Sequence, residues 1–238
     1  MGNYDIVYCV KYCWTNEELK YSLRSVDENW QYRKVFFAGC CPKKLKPDVH
    51  LNYSQTAPTK WERVRNMLLQ VCDEKRITED FWLFNDDFFI LKKMDCENLK
   101  PFCNGTIQEH IEHIEKKHGG VRSSYTEGLR HMVDNLEKAG LSTISYAVHK
   151  PILFNRKKLK EVLTKFPDEP MFRSLYGNYW KIGGEHSPDV KIVAMNYGDI
   201  DKVKNEWSLL STSDKSFRDG NVGEFIRKRF TTRSRFEK

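Results

Sequence analysis

Apolar and polar positions along the first ninety residues fall into two alternating rhythms. Ile6 to Val10 is a short apolar run inside a strand candidate spanning Asp5 to Lys11. Thr15 or Asn16 then offers a helix cap, with Glu17 and Glu18 in the first turn, where carboxylates suit the helix dipole. Leu19, Leu23, Val26 and Trp30 follow at spacings of four, three and four, the apolar stripe of a helix. A second strand is predicted at Val35 to Ala38, ended by Gly39, and a third from Val49 to Tyr53. A second helix is predicted from Lys60 to Cys72, with Trp61, Val64, Leu68 and Val71 on one side. Phe81 to Leu91 then reads as a strand interrupted by Asn85, Asp86 and Asp87. Strands alternating with helices imply an α/β fold: a mostly parallel central sheet with flanking helices. In such sheets ligands bind beyond the carboxyl ends of the strands, which is where Asp86 and Asp87 fall.

The middle of the chain changes character. Residues 104–140 are largely helical and polar, broken at Gly119 and Gly120, and are read as a helical insertion or lid within one unit spanning 1–238. His110, His113 and His118 sit among Glu109, Glu112, Glu115, Lys116 and Lys117, so a solvated helix surface explains them better than a metal site. Sheet-like sequence returns from Thr143 to Phe154 and carries His149-Lys150-Pro151. Helices are predicted from Lys157 to Phe166 and over Met171 to Tyr176, and a strand from Val190 to Met195. There is no internal repeat.

Composition narrows the class. A hydrophobic fraction of 39% with 13% aromatics belongs to a folded globular chain. No apolar run approaches the roughly 20 residues needed to cross a bilayer. The start, Met1-Gly2-Asn3-Tyr4-Asp5, has no basic-then-apolar leader, so a cytoplasmic protein is expected. The seven cysteines form no Cys-x-x-Cys pair and are expected as reduced thiols. The net charge of +7 is partly local: Arg227, Lys228, Arg229, Arg233, Arg235 and Lys238 stand against Glu224 and Glu237 near the end. Such a tail suits an anionic partner, nucleic acid or an anionic glycopolymer.

The adjacent carboxylates carry the chemistry. Two acids within an aromatic strand are costly without a compensating cation. Oxygen ligands there suit Mg2+ or Mn2+ bridging to substrate phosphates. Asn-Asp-Asp is also good turn composition, though a turn alone explains less well why Phe88 and Phe89 follow at once.

Several separated segments resemble one family. Asn16-Glu17-Glu18-Leu19-Lys20-Tyr21-Ser22-Leu23-Arg24-Ser25-Val26 and Phe84-Asn85-Asp86-Asp87-Phe88-Phe89 resemble two blocks of the Stealth-type sugar-phosphate transferases. His149-Lys150-Pro151 and Phe172-Arg173-Ser174 resemble two shorter blocks, and Ala57 to Asn66 is a weaker echo of a proline-containing segment. The opening Asp5 to Lys11 and the tail Ser211-Thr212-Ser213-Asp214-Lys215-Ser216-Phe217 are similar to short glycosyltransferase-like proteins of phages and prophages. Val7-Tyr8-Cys9-Val10-Lys11 and then Trp14 lack the acidic residue of the Stealth opening block, so direct transfer of a sugar-1-phosphate is less expected than glycosyl transfer. The resemblance implies an A-type glycosyltransferase fold and a nucleotide-sugar donor.

On that reading Asp86 and Asp87 hold the divalent cation, with Asp87 also in the catalytic set. Arg173, Arg24, Lys11, Asp214 and Lys215 are candidates for binding donor or phosphate, and His149 is the candidate general base. Glu18 accepts a proton or binds substrate. For Arg24 a structural ion pair is the competing expectation, for Glu18 a first-turn carboxylate, and for Asp214 and Lys215 a capped turn. The acceptor is a modified DNA base, supported by the basic tail, or a cell-surface glycopolymer. The alternatives are a sugar-1-phosphate transferase and a non-catalytic nucleotide-sugar binding module.

Overall fold

The computed structural model describes residues 2–117, 119–169 and 171–238. Its central sheet contains β1 (Asp5–Val10), β2 (Val35–Gly39), β3 (Val49–Leu51) and β4 (Asp80–Phe84). Helices α1 (Glu17–Asn29) and α2 (Lys60–Asp73) provide the crossovers. β5 (Phe88–Ile90) and β6 (Phe102–Cys103) precede a helical pair, α3 (Ile107–Lys117) and α4 (Ser124–Lys138). β7 (Ile152–Asn155), α5 (Arg156–Lys165), α6 (Phe172–Tyr179), β8 (Glu185–His186), β9 (Lys191–Ile192) and α7 (Ile200–Glu206) follow. β10 (Leu209–Thr212), α8 (Asp214–Asp219) and α9 (Asn221–Arg229) complete the described elements.

The central sheet runs β3-β2-β1-β4-β7. Its first four strands are parallel, and β7 is antiparallel to β4. Alternation along β1 explains why both faces are covered. Ile6, Tyr8 and Val10 face a core built with Leu19, Leu23, Val26 and Trp30 of α1 and its C-cap. Val7 faces the opposite core, with Leu68 and Val71 of α2 and Leu159 and Leu163 of α5. The charge at the start of β1 is satisfied, since the buried Asp5 takes both arms of Arg33, at 2.9 and 2.6 Å, and the Thr78 N–H.

Asn85, Asp86 and Asp87 form a turn, closed by the Phe88 N–H donating to the Asn85 carbonyl at 3.2 Å. The aromatic residues resume because β5 leaves the central sheet for a second one, ordered β5-β10-β9. Turn and site are therefore the same segment. Helix α1 pins this junction: Ser25 Oγ accepts from the Ile90 N–H and Asn29 Nδ2 donates to the Ile90 carbonyl. Among residues 104–140, α3 and α4 pack on each other and on α5 and α6 through Ile107, Ile111, Leu129, Met132, Val162 and Leu175.

One expectation is corrected. Between Thr143 and Phe154 regular pairing is confined to β7, apart from one Thr106–Ile144 bridge. Tyr146 is buried there, but its N–H is taken by the Ser174 hydroxyl rather than by a neighbouring strand. Residues 211–216 are the end of β10 and the start of α8, closed by a Ser213–Ser216 capping box. No helix among the described residues is long and apolar enough to cross a membrane. All seven cysteines are free thiols.

Candidate active site

At the carboxyl ends of β1 and β4 the surface opens into a cavity of about 640 Å³. Six of the residues singled out by the sequence line it: Lys11, Glu18, Asp86, Asp87, Asp214 and Lys215. Each comes from a segment that ends there. Lys11 follows β1, Glu18 lies in the first turn of α1, and the two aspartates follow β4. Asp214 and Lys215 open α8.

The two aspartates differ in their partners. Asp86 Oδ2 accepts from Asn16 Nδ2 at 2.7 Å, while Asn16 Oδ1 caps α1 by accepting from the Leu19 N–H at 2.9 Å. Burial, followed by the neighbouring Asp87 charge, pushes the Asp86 carboxyl above the usual range against the pull of the Asn16 hydrogen bond. Asp87 Oδ2 meets Lys191 Nζ at 2.9 Å, with the two side chains only 13% and 24% exposed. Asp87 Oδ1 is buried and has no hydrogen-bond partner among the described residues. A buried carboxylate oxygen left unpaired is costly.

Glu18 is the second feature of this cavity. Burial and a hydrogen bond shared with Asp214 push its carboxyl up to about 8, although the Thr212 hydroxyl donates to it at 3.0 Å. Lys11 Nζ lies 3.9 Å from Asp214 in an exposed pair.

His149 and Arg173 line a smaller adjoining chamber, which shares Val64, Asn85 and Phe172 with the larger cavity. His149 Nδ1 stands 2.8 Å from Asp189 Oδ2, and the His149 N–H donates to Asp189 Oδ1 at 3.0 Å. Burial raises Asp189, but the His149 contacts outweigh it and hold the acid below the usual carboxylate range. A carboxylate at Nδ1 selects the tautomer whose Nε2 is free to accept a proton. Arg173 donates to the carbonyls of Val148 and Lys150 and lies over the Phe88 ring, while its Nη2 is buried without a partner. Burial pushes its guanidinium down to about 10.

Arg24 is corrected. Its guanidinium grips Glu237 in bidentate geometry at 2.7 and 2.8 Å and donates to the carbonyls of Phe230 and Thr231. It lines neither cavity and ties α1 to the end of the chain. The basic tail is partly engaged by the body. Arg235 pairs with Asp48 at 2.7 Å, Arg229 with Glu28 at 2.6 Å, and Arg227 donates to the Phe217 carbonyl. These pairs fasten the tail to the body, while Lys228 and Arg233 stay exposed.

His110 is not on a solvated face, because its ring packs on Tyr125 and burial lowers its pKa. His113 is exposed, and His118 lies outside the described residues. Among the described residues no three or more His, Cys, Asp or Glu side chains converge to hold a metal by themselves. Sequence reasoning missed Asn16 as a partner of Asp86, and it missed Lys191 and Asp189. No local motif marks these last two, whose contacts reach 104 and 40 residues along the chain.

No family model matches the chain, and no curated protein does. Solved structures are similar to it. The glycosyltransferase GlyE of Streptococcus pneumoniae TIGR4 superposes with a TM-score of 0.50 at 11% identity, over 96% of this chain and 60% of GlyE. Its apo form gives 0.48 at 11% identity, over 97% and 61%. A glycosyltransferase involved in glycosylation of the major capsid of PBCV-1 gives 0.42 at 8% identity, over 96% and 99%. The fold is a glycosyltransferase fold. This chain spans about three-fifths of the length of GlyE.

Proposed function

We propose that the protein is a glycosyltransferase that moves a sugar from a nucleotide-sugar donor to an acceptor hydroxyl, assisted by a divalent cation. The observation that carries the reading is the buried, unpartnered Asp87 oxygen beside Asp86, in a cavity at the carboxyl edge of the parallel strands. The fold supports it, although a fold alone does not fix an activity.

Asp86 and Asp87 would hold Mn2+ or Mg2+, hard ions that take carboxylate oxygens and complete their shell with phosphate oxygens and water. When bound, such an ion supplies Lewis-acid stabilisation of the departing diphosphate. Lys11 and Lys215 line the same cavity and offer further positive charge to the phosphates. Lys191 holds Asp87 in place and keeps one of its oxygens turned inward. Asn16 does the same for Asp86. Glu18, protonated near neutral pH, stands as a neutral hydrogen-bonding group beside the phosphates rather than as a repelling charge.

His149, oriented by Asp189, is the base. The acceptor hydroxyl gives its proton to Nε2 as its oxygen bonds to the anomeric carbon. The bond from that carbon to the diphosphate oxygen breaks, and the electron pair leaves with the nucleoside diphosphate. Asp189 stabilises the imidazolium that forms.

Turnover of a panel of nucleotide sugars, with Mn2+ and with chelator, tests the reading. Wild-type protein is expected to release nucleoside diphosphate only with metal, and His149→Ala to lose the acidic limb of the pH–rate profile along with most of the rate, about 100-fold or more. An unaltered profile in His149→Ala removes the base role.

A further inference from the structure

Between α2, α4 and the start of α6 lies the chamber of about 210 Å³ whose walls include Trp61, Tyr125, His149, Phe172 and Arg173. We infer that it is the acceptor subsite and that it takes one uncharged glycosyl ring, a pyranose presenting a free hydroxyl to His149. This rests on the larger cavity being the donor site.

Size favours a single ring. Pockets for drug-sized ligands run from roughly 300 to 1,000 Å³, and this one is smaller. Its wall is aromatic: the Trp61 and Tyr125 rings lie 5.8 Å apart between centroids and tilt by 30°. An aromatic wall suits the apolar C–H face of a pyranose. The polar groups stand at one side. Arg173 is fixed by two backbone carbonyls, and its buried Nη2 lacks a partner that a ring or hydroxyl oxygen would supply. His149 is fixed by Asp189.

The local charge favours an uncharged ligand. Arg173 feels both Asp87 and Asp189, so the chamber holds balanced charge and suits hydroxyls, which donate and accept. Trp61 comes from α2 and Tyr125 from α4, so the helical pair within residues 104–140 contributes a specificity-determining wall. The shared residues Val64, Asn85 and Phe172 join this chamber to the donor cavity.

Ligand-observed saturation-transfer NMR tests the inference. The probes are the methyl glycosides of glucose, galactose, mannose and N-acetylglucosamine at millimolar concentration, with thymidine and 5-hydroxymethyldeoxycytidine as the flat-ring arm. Wild-type protein is expected to saturate at least one glycoside from one face of its ring. Trp61→Leu and Tyr125→Ala are each expected to weaken that binding about tenfold, and Tyr125→Phe to keep it. Thermal stabilisation by a nucleotide sugar with Mn2+ should be unchanged in all three variants, which also reports that they are folded. Silence from every glycoside, a signal that both truncating variants keep, or preferential saturation of the nucleosides overturns the inference. Glycoside binding through Trp61 and Tyr125 in a wild-type protein that binds no nucleotide sugar supports the ring site and overturns the donor reading instead.

Discussion

Glu18 carries a proton at a pH where an ordinary carboxylate has lost it, because burial and the neighbouring Asp214 both oppose its charge. Its folded pKa is raised from 4.5 to about 8. Across that window the folded protein binds a proton that the unfolded chain has released, so the stabilisation present at low pH is lost as pH rises through about 8. In metal-free buffer the wild-type Tm should fall between about pH 5 and pH 9 more steeply than that of Glu18→Gln, which copies the protonated acid. Equal slopes would contradict the assignment. Arg24 gives the opposite kind of prediction. Its pair with Glu237 is about 10% exposed, and truncation to alanine leaves a nearly buried carboxylate without its hydrogen bonds. Arg24→Ala should lower stability by about 2 kcal/mol in denaturant unfolding and leave nucleotide-sugar binding unchanged. A variant that unfolds like wild type but no longer binds the donor returns Arg24 to the site.

The segment from Asn16 to Val26 shows how one helix serves several ends. Asn16 caps it and holds Asp86, while Glu18 faces the cavity. Ser22 meets the Tyr8 hydroxyl at 2.9 Å, Ser25 and Asn29 satisfy the backbone of β5, and Arg24 anchors the end of the chain. Much of a block that resembles a catalytic family is therefore architecture. The crossovers α1 and α2 were legible because their apolar stripes repeat at helical spacing and their caps are local. The return from Thr143 was not, because the apolar spacing around Tyr146 and Val148 reflects burial in a loop held by Ser174 and Asn178. A test at this scale uses α9, which starts so close to α8 that a Cβ on Gly223 would meet the Phe217 carbonyl. Gly223→Ala should cost about 1–3 kcal/mol by forcing the two helices apart. An unchanged unfolding midpoint would mean that they separate freely.

Across the whole molecule, a parallel sheet delivers its carboxyl ends to one edge, a second sheet brings Thr212 and Lys191 to that edge, and Tyr125 of α4 closes one side of the smaller chamber. The position of Asp86 and Asp87 was readable, since strand–helix alternation already placed them at that edge. Their environment was not. Lys191 and Asp189 arrive from a short edge strand and the loop before it, with no pattern to mark them, and part of the cationic tail pairs with the body. The account stands on Asp87 being half paired and half waiting for a cation. Isothermal titration calorimetry of nucleotide sugars, with and without Mn2+, into wild type and Asp87→Asn tests that most directly. The account predicts donor binding that requires the metal in wild type and is lost in a folded Asp87→Asn. Equal donor affinity in both proteins, indifferent to the metal, would contradict it.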